Sequence, residues 1–390
     1  MLPHGFACIG GGAHGASGFR VTPLQVLCLD ECDQMLEMGF RPALTQILRL
    51  LPKTPQGRQS LLFSATVPDA VEEMARNVLG AKAQFIDTVG EDDEQTHTHI
   101  EQESLHCSWP NLVPTMMRVL KFHMTKKDFK IIVFFPTARF TQYMATLASA
   151  MGLPVLEIHS RKSQSARGKA SAAFLKQSNQ VLFSSDVSAR GMDYPGVTLV
   201  LQVGLTEREQ YIHRLGRTAR AGAGGCGLIL LADTETTLLR DLKDVSVTPS
   251  GPASRVTGGA SVVGNPLRDP YNVSDLPDLV AAIRKCKGDA PKAYSAWLGF
   301  YNSNLRRLRW DKAYLVETAN ALFATLGCPE PPALPRKTVG KMGLRGTPGL
   351  REEAKGAGGF GGGGRNGGGR GGGRGGGGRG GRRNNGGGRW

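Results

Sequence analysis

The sequence is short of acidic residues and has no long apolar run. Asp and Glu number 33 against 48 Lys and Arg, a formal net charge of +15 over 390 residues. That balance points to a polyanionic partner or an anionic surface rather than a basic substrate. No window of about 18 residues is free of charged and polar interruptions, which excludes a transmembrane helix and argues against a membrane partner. The seven cysteines are odd in number, and neither a CxxC pair nor a Cys/His zinc spacing occurs. Reduced thiols in an intracellular compartment fit this pattern. Cys28 and Cys32 are four residues apart, but Cys28 sits inside an apolar run, which argues against shared metal ligation. Residues 1–20 are Gly-rich with one arginine, unlike a secretory signal or an arginine-rich transit peptide. At 40% hydrophobic residues the chain can bury a core, so wholesale disorder is excluded. Its length favours two or three domains.

Short apolar runs alternate with helix-like segments. The runs are Leu24–Leu29, Ser60–Ser64, Ile131–Phe135, Val155–His159, Val181–Ser184, Thr198–Val203 and Gly227–Leu231. Runs that are apolar throughout fit strands buried on both faces of a parallel sheet. The alternation predicts an α/β layered fold with active groups at the carboxyl ends of strands. Residues 88–104 are acidic and polar and read as a linker. Residues 246–272 read as a loop, and 273–351 as a helical extension. Within it Leu315, Ala319, Leu322, Phe323 and Leu326 have helical spacing, with Gly327 as a stop. Residues 356–390 hold 22 glycines, seven arginines and no acidic residue, a composition that predicts disorder over 352–390.

Asp30-Glu31-Cys32-Asp33 directly follows the run LQVLCL. A strand ending in two carboxylates suits nucleotide hydrolysis, where the first holds Mg²⁺ through water and the second positions the attacking water. Taken alone, the cluster fits a solvated acidic helix start equally well. Ser64-Ala65-Thr66 ends the next apolar run, and His213-Arg214-Leu215-Gly216-Arg217-Thr218-Ala219-Arg220 comes much later.

In order and spacing these three motifs resemble motifs II, III and VI of the DEAD-box RNA helicases, with DECD as a variant of motif II. Residues 131–141 resemble motif IV, Gln164 to Arg167 the QxxR element, and Ser185 to Asp193 motif V. The resemblance implies a partial RecA-like lobe (21–87) after the Gly-rich segment (1–20). A complete RecA-like parallel-sheet lobe (105–245) follows, then the helical extension and an Arg/Gly tail. It implies ATP and Mg²⁺ as cofactors and RNA as partner. Asp30 and Glu31 would serve hydrolysis, Arg217 and Arg220 would be arginine fingers, and Asp193 would contact the ribose. Asp33, Ser64, Thr66 and His213 would couple the lobes. Thr137, Gln164, Arg167, Ser185 and Gly191 would line a sugar–phosphate track that carries no base sequence. For Gln164 and Arg167, the residues alone fit an exposed helix start.

Residues 293–351 resemble the C-terminal extension of organellar DEAD-box proteins, in which it packs on the second lobe and helps bend RNA. Arg306, Arg307 and Arg309 suit phosphate contacts there. Trp297 and Phe300 read as core, and Trp310 fits either core or an RNA-stacking surface. The Arg/Gly tail resembles RGG segments and fits either RNA tethering or a solubilising linker. A monomer in mitochondria, with ribonucleoprotein partners, is what the subgroup implies; a nuclear or cytoplasmic address is the alternative.

One family element is missing. The only Gly-Lys pairs are Gly168-Lys169-Ala170 and Gly340-Lys341-Met342, and neither continues to Thr or Ser. Only 29 residues precede Asp30, where the family places a phosphate loop about 100 residues upstream. The expectation is an N-terminally truncated active enzyme, or else a remnant that binds RNA without turning over ATP.

Overall fold

A computed structural model describes residues 24–37, 39–51, 58–64, 67–80, 83–87, 100–185, 194–219, 224–243, 245–250, 256 and 276–354. The chain divides into two compact units, Met1–Asp93 and Glu94–Trp390.

In the first unit, β1 (Val26–Leu29) and β2 (Gln59–Leu62) pair in parallel, Val26 opposite Gln59 and Leu29 opposite Leu62. Helices α1 (Cys32–Glu37), α2 (Arg41–Leu50) and α3 (Asp69–Leu79) supply the rest. Pro in the first turn of α2 suits a position whose N–H needs no partner, and Asp69 and Glu72 favour the positive end of α3. The core is Leu29, Cys32, Leu44, Met74 and Val78. Burial on both faces was expected for LQVLCL, but Val26 and Cys28 are exposed while Leu27 and Leu29 turn inward. Two strands with helices packed on Leu27 and Leu29 leave the other face open, because strand side chains alternate.

The second unit is built on a seven-stranded, all-parallel sheet in the order β5-β6-β4-β7-β8-β3-β9. The strands are β3 (Glu101–Cys107), β4 (Lys130–Phe134), β5 (Val155–Ile158), β6 (Gln180–Ser184), β7 (Leu199–Val203), β8 (Cys226–Ala232) and β9 (Thr248–Pro249). Helices α4 (Leu112–Met124), α5 (Ala138–Ala150), α6 (Gln164–Lys176) and α7 (Arg208–Leu215) cover it, followed by the short α8 (Leu238–Asp241). Every residue of β4 and β7 is buried, as continuous apolar runs predict for central parallel strands.

The linker expected over 88–104 is corrected from Glu101 onward, where β3 begins. Its sequence EQESLHC looks solvated, yet Gln102, Glu103 and Ser104 are buried between β8 and β9. Tyr211 donates its hydroxyl to Gln102 Oε1 at 3.0 Å, one partner that makes a buried polar strand tolerable. Of the loop expected over 246–272, Thr248–Pro249 is strand, and residues 251–255 and 257–272 lie outside the described residues. The Arg/Gly tail beyond 354 lies outside them too.

The extension is helical: α9 (Pro277–Cys286), α10 (Ala290–Ser303), α11 (Leu305–Leu308), α12 (Lys312–Thr325) and α13 (Arg336–Met342). Leu326 caps α12, and Gly327 follows at φ +92°. Trp297 is buried and stacks on Tyr301 at 4.0 Å, and Trp109 of the lobe meets Trp297 edge-on at 5.2 Å. Trp310 is half-buried and stacks on Tyr301 at 5.7 Å, so it belongs to this cluster. Phe300, expected in the core, is only partly buried at its edge. Each aromatic pair adds about 0.5–1.5 kcal/mol beyond area burial, so the extension docks on the lobe as part of one core.

Candidate functional site

In the first unit, β1 ends at Leu29 and the chain turns sharply. Asp30 is exposed, and its Oδ1 accepts from the Glu31 N–H at 3.0 Å. Glu31 sits at φ 51°, a left-handed conformation that costs a non-glycine residue of order 1 kcal/mol and is concentrated at working sites. Cys32 then enters the core with its thiol pKa raised, first by burial and then by Asp33. The Asp33 N–H donates to Ser64 Oγ at 3.2 Å, and the Cys32 N–H to the Phe63 carbonyl at 3.1 Å. The acidic turn after β1 and the Ser64 turn after β2 are thus one structure, as two adjacent parallel strands require. Thr66 lies outside the described residues.

In the second unit, four of the expected track residues gather at the carboxyl ends of adjacent strands. Thr137 follows β4 and caps α5, accepting from the Phe140 N–H at 3.1 Å. Gln164 opens α6 after β5 and is exposed, with Arg167 one turn on. Ser185 follows β6 and is buried; its N–H reaches the Ile158 carbonyl at the end of β5, 3.3 Å away. The Phe135 N–H donates to the Ser184 carbonyl, closing β4 against β6. Gly191 and Asp193 lie outside the described residues.

Arg139 and Arg161 both border this edge. Arg139 has its pKa lowered by burial and then by Arg161, while the Asp289 carboxylate raises it and offsets part of the repulsion. Such an edge favours an anion laid across it. Sequence reasoning passed over the group that shapes it: His159, fully buried after β5. Its Nδ1 accepts from the Arg161 N–H at 3.2 Å, which leaves Nε2–H to donate to Glu157 Oε2 at 3.0 Å. Burial alone would raise the Glu157 pKa; hydrogen bonds from His159 and Lys162, with the Lys162 charge, outweigh it and hold it low. The pair sets the loop from which α6 begins. An apolar strand ending in histidine five residues before Gln164 was the available signal.

Motif VI lies elsewhere. Helix α7 carries His213, half-buried, and ends before Gly216, and the buried Arg217 donates Nε–H to the His213 carbonyl at 3.2 Å. Thr218 hydrogen-bonds the Val197 carbonyl just ahead of β7, so this loop lies at the amino end of that strand. Unlike the expected track residues, Arg217 therefore lies toward the amino edge: helix α7 runs back along the sheet from the carboxyl end of β7. Arg217 also lowers the pKa of Tyr194 against the dominant effect of burial, which places the two near one another. Side chains at Gly225 and Gly227 would run into Thr218 and Leu215, so glycine there lets the loop and helix seat on β8. Arg214 is buried, hydrogen-bonded to Gln202 Oε1 at 3.3 Å and stacked 5.1 Å over Phe134, so it shapes the helix rather than facing solvent. Arg220 lies outside the described residues.

On the extension, Arg306 and Arg309 are exposed, Arg309 in the left-handed cap of α11 at φ 58°. Arg307 differs from its two neighbours in having acidic partners. Its guanidinium pairs with Asp241 Oδ2 at 2.8 Å and Glu207 Oε1 at 2.9 Å, joining the extension to the lobe.

Two family models match this chain: DEAD/DEAH box helicase over residues 14–74 and helicase conserved C-terminal domain over 113–222. A DEAD-box ATP-dependent RNA helicase 26 of Oryza sativa subsp. japonica is 43% identical over 334 residues, 85% of this chain and 59% of the relative. The chain belongs to the DEAD-box helicase family. This DEAD-box chain is also 38% identical over 342 residues to an ATP-dependent RNA helicase mss116, mitochondrial, of Aspergillus oryzae, spanning 85% of the chain and 52% of that protein. Among solved structures, Mss116p bound to single-stranded RNA and AMP-PNP aligns with a TM-score of 0.66 at 28% identity, covering 84% of this chain and 65% of that one. The DEAD-box chain therefore spans 59% and 52% of the length of these two curated relatives.

Proposed function

We propose that this chain works in an ATP-dependent RNA helicase of the organellar RNA-chaperone kind, in which ATP binding and hydrolysis drive RNA bending and local duplex separation. The observation that carries this reading is the gathering of Thr137, Gln164, Arg167 and Ser185 at one cationic edge of the second sheet. Such an edge grips sugar and phosphate without reading bases. In this reading Glu31 orients the attacking water, and Arg217 with Arg220 neutralises charge on the transferring phosphoryl group. Asp193 holds the ribose, and Asp33, Ser64, Thr66 and His213 couple the two lobes. Among the described residues no cluster of three or more His, Cys, Asp or Glu could cage a metal. In this reading the exposed carboxylate of Asp30 holds Mg²⁺ through water, together with substrate phosphates. When bound, the ion supplies charge neutralisation at those phosphates. The protein acts as a monomer with ribonucleoprotein partners, in mitochondria by likeness to the Aspergillus relative's name.

The chain itself should bind mixed-sequence single-stranded RNA, with affinity falling more than about tenfold between 50 and 200 mM salt. Supplied with a first-lobe segment bearing Gly-Lys-Thr, it should hydrolyse ATP on RNA addition. Arg217→Ala should lower that turnover by roughly 10³-fold. Turnover near the parent's would overturn the arginine's role. A second reading, an RNA-binding protein without ATP turnover, is favoured by the absence of Gly-Lys-Thr or Gly-Lys-Ser from these 390 residues. RNA binding with no hydrolysis in the supplemented protein would select it.

A further inference from the structure

The loop between β7 and α7 is held from outside the lobe's own sheet. Gly204 is at φ +80°, and its N–H donates to the Leu230 carbonyl of β8 at 2.9 Å. The next residue, Leu205, is buried and donates its N–H to Glu235 Oε1 at 2.8 Å. Glu235 is fully buried, and its other oxygen accepts from the Ala232 N–H at 2.8 Å. The remaining donor comes from the extension: Tyr301 of α10 gives its hydroxyl proton to the same Glu235 Oε1 at 2.5 Å. That hydroxyl oxygen also lies 3.4 Å from the Leu205 N–H. A methyl at Gly204 would stand 2.8 Å from the Tyr301 oxygen and 3.2 Å from Pro136, the residue before Thr137. One tyrosine hydroxyl thus occupies the point where the loop opening α5 and the loop opening α7 meet.

Helix α7 starts three residues after Leu205 and has eight residues, so it is a rigid rod of about 12 Å. A shift at its origin is carried to Arg217 at its far end. Arg307 adds a second hold by pairing with Glu207, the capping position of α7.

We propose that Tyr301 and Glu235 are positioning residues for the motif VI arginine, the extension fixing through Leu205 the origin of the helix that delivers Arg217. Neither group touches nucleotide or RNA; both act through backbone placement. The consequence for catalysis rests on the proposed helicase function, whereas the placement itself does not.

The test uses Tyr301→Phe in the full chain, which keeps the ring and its stacking on Trp297. Tyr143→Phe is the matched control. It removes another buried hydroxyl at the same docking surface, the one bonded to the Leu326 carbonyl far from α7. Hydrogen exchange should quicken about tenfold at Leu205 and Tyr211–Leu215 in Tyr301→Phe, the size expected for one lost buried hydrogen bond. Amides of β4 and α12 should not change. In Tyr143→Phe, α7 should stay protected. Equal quickening everywhere, equal effects of both substitutions, or no change at α7 would each overturn the proposal. In the ATP-hydrolysing form, Tyr301→Phe should lower kcat about tenfold with KM for RNA unchanged, and a rise in KM alone would overturn it. If the parent protein hydrolyses no ATP, the helicase reading fails while the exchange result still decides this one.

Discussion

The N–H of Asp33 donates to the hydroxyl oxygen of Ser64, 3.2 Å away and 31 residues along the chain. The bond joins two turns at the ends of neighbouring parallel strands, so the acidic turn cannot move without the serine turn. Ser64→Ala should quicken exchange of the Asp33 amide by about fivefold, as loss of one partly buried hydrogen bond predicts. Mass-resolved exchange of the peptide 29–36 measures it.

Glu31 follows from the same turn. In the ATP-hydrolysing form, Glu31→Gln should reduce turnover by more than about 10²-fold while leaving RNA affinity within twofold, because the amide keeps the shape but cannot accept a proton. Undiminished RNA-stimulated hydrolysis would sink the assignment.

Ala219 occupies φ 53°, a left-handed conformation that suits glycine. Ala219→Gly relieves the methyl's clash and should raise stability by about 0.5–1 kcal/mol despite the added chain entropy. A urea midpoint lower than the parent's would contradict this. The methyl is partly buried against the second unit's core, and the substitution gives up that packing.

The three arginines of α11 and its cap should separate by function. Arg306→Ala and Arg309→Ala should weaken RNA binding and flatten its salt dependence, since both are exposed. Arg307→Ala should instead lower the thermal midpoint, because its partners Asp241 and Glu207 anchor the extension. A larger RNA-binding loss for Arg307 than for Arg309 would reverse the assignment.

Two buried groups give stability opposite pH dependences. His123 donates Nε2–H to the Val256 carbonyl at 2.6 Å, and burial, with Lys126 adding repulsion, lowers its pKa to about 4. The unfolded chain takes up that proton near the ordinary value of 6.5, so this contribution is full above it and is lost as pH falls toward 4. Glu235 goes the other way. Burial raises it to about 7 despite hydrogen bonds from Tyr301, Ala232 and Leu205, with Asp233 and Cys107 nearby. The folded state holds that proton after the unfolded chain has released it, so stability falls as pH rises from 4.5 to 7. Each effect is on the order of 3 kcal/mol. Between pH 5 and 6.5 they oppose one another. His123→Leu should leave stability rising toward acid, and Glu235→Gln should leave it falling, as urea midpoints at pH 5 and 7 would show.

Much of this protein was legible from local chemistry. The apolar runs became β4 and β7 because strands covered on both faces must be apolar throughout. DECD and HRLGRTAR stood out because phosphoryl transfer needs carboxylates and guanidinium groups, and few sequences keep both in that order. Leu315 to Leu326 declared a helix by spacing alone. Tertiary structure decided the rest. It buried the polar strand Glu101–Cys107, because partners such as Tyr211 come from far along the chain. It gave Arg307 the anchoring partners Asp241 and Glu207, which lie 66 and 100 residues away. It brought Tyr301 to Glu235 and Leu205, a meeting of three distant segments that no local pattern encodes. Local sequence reports what each segment can bury or donate, but the partner that receives it is chosen only when the chain closes on itself.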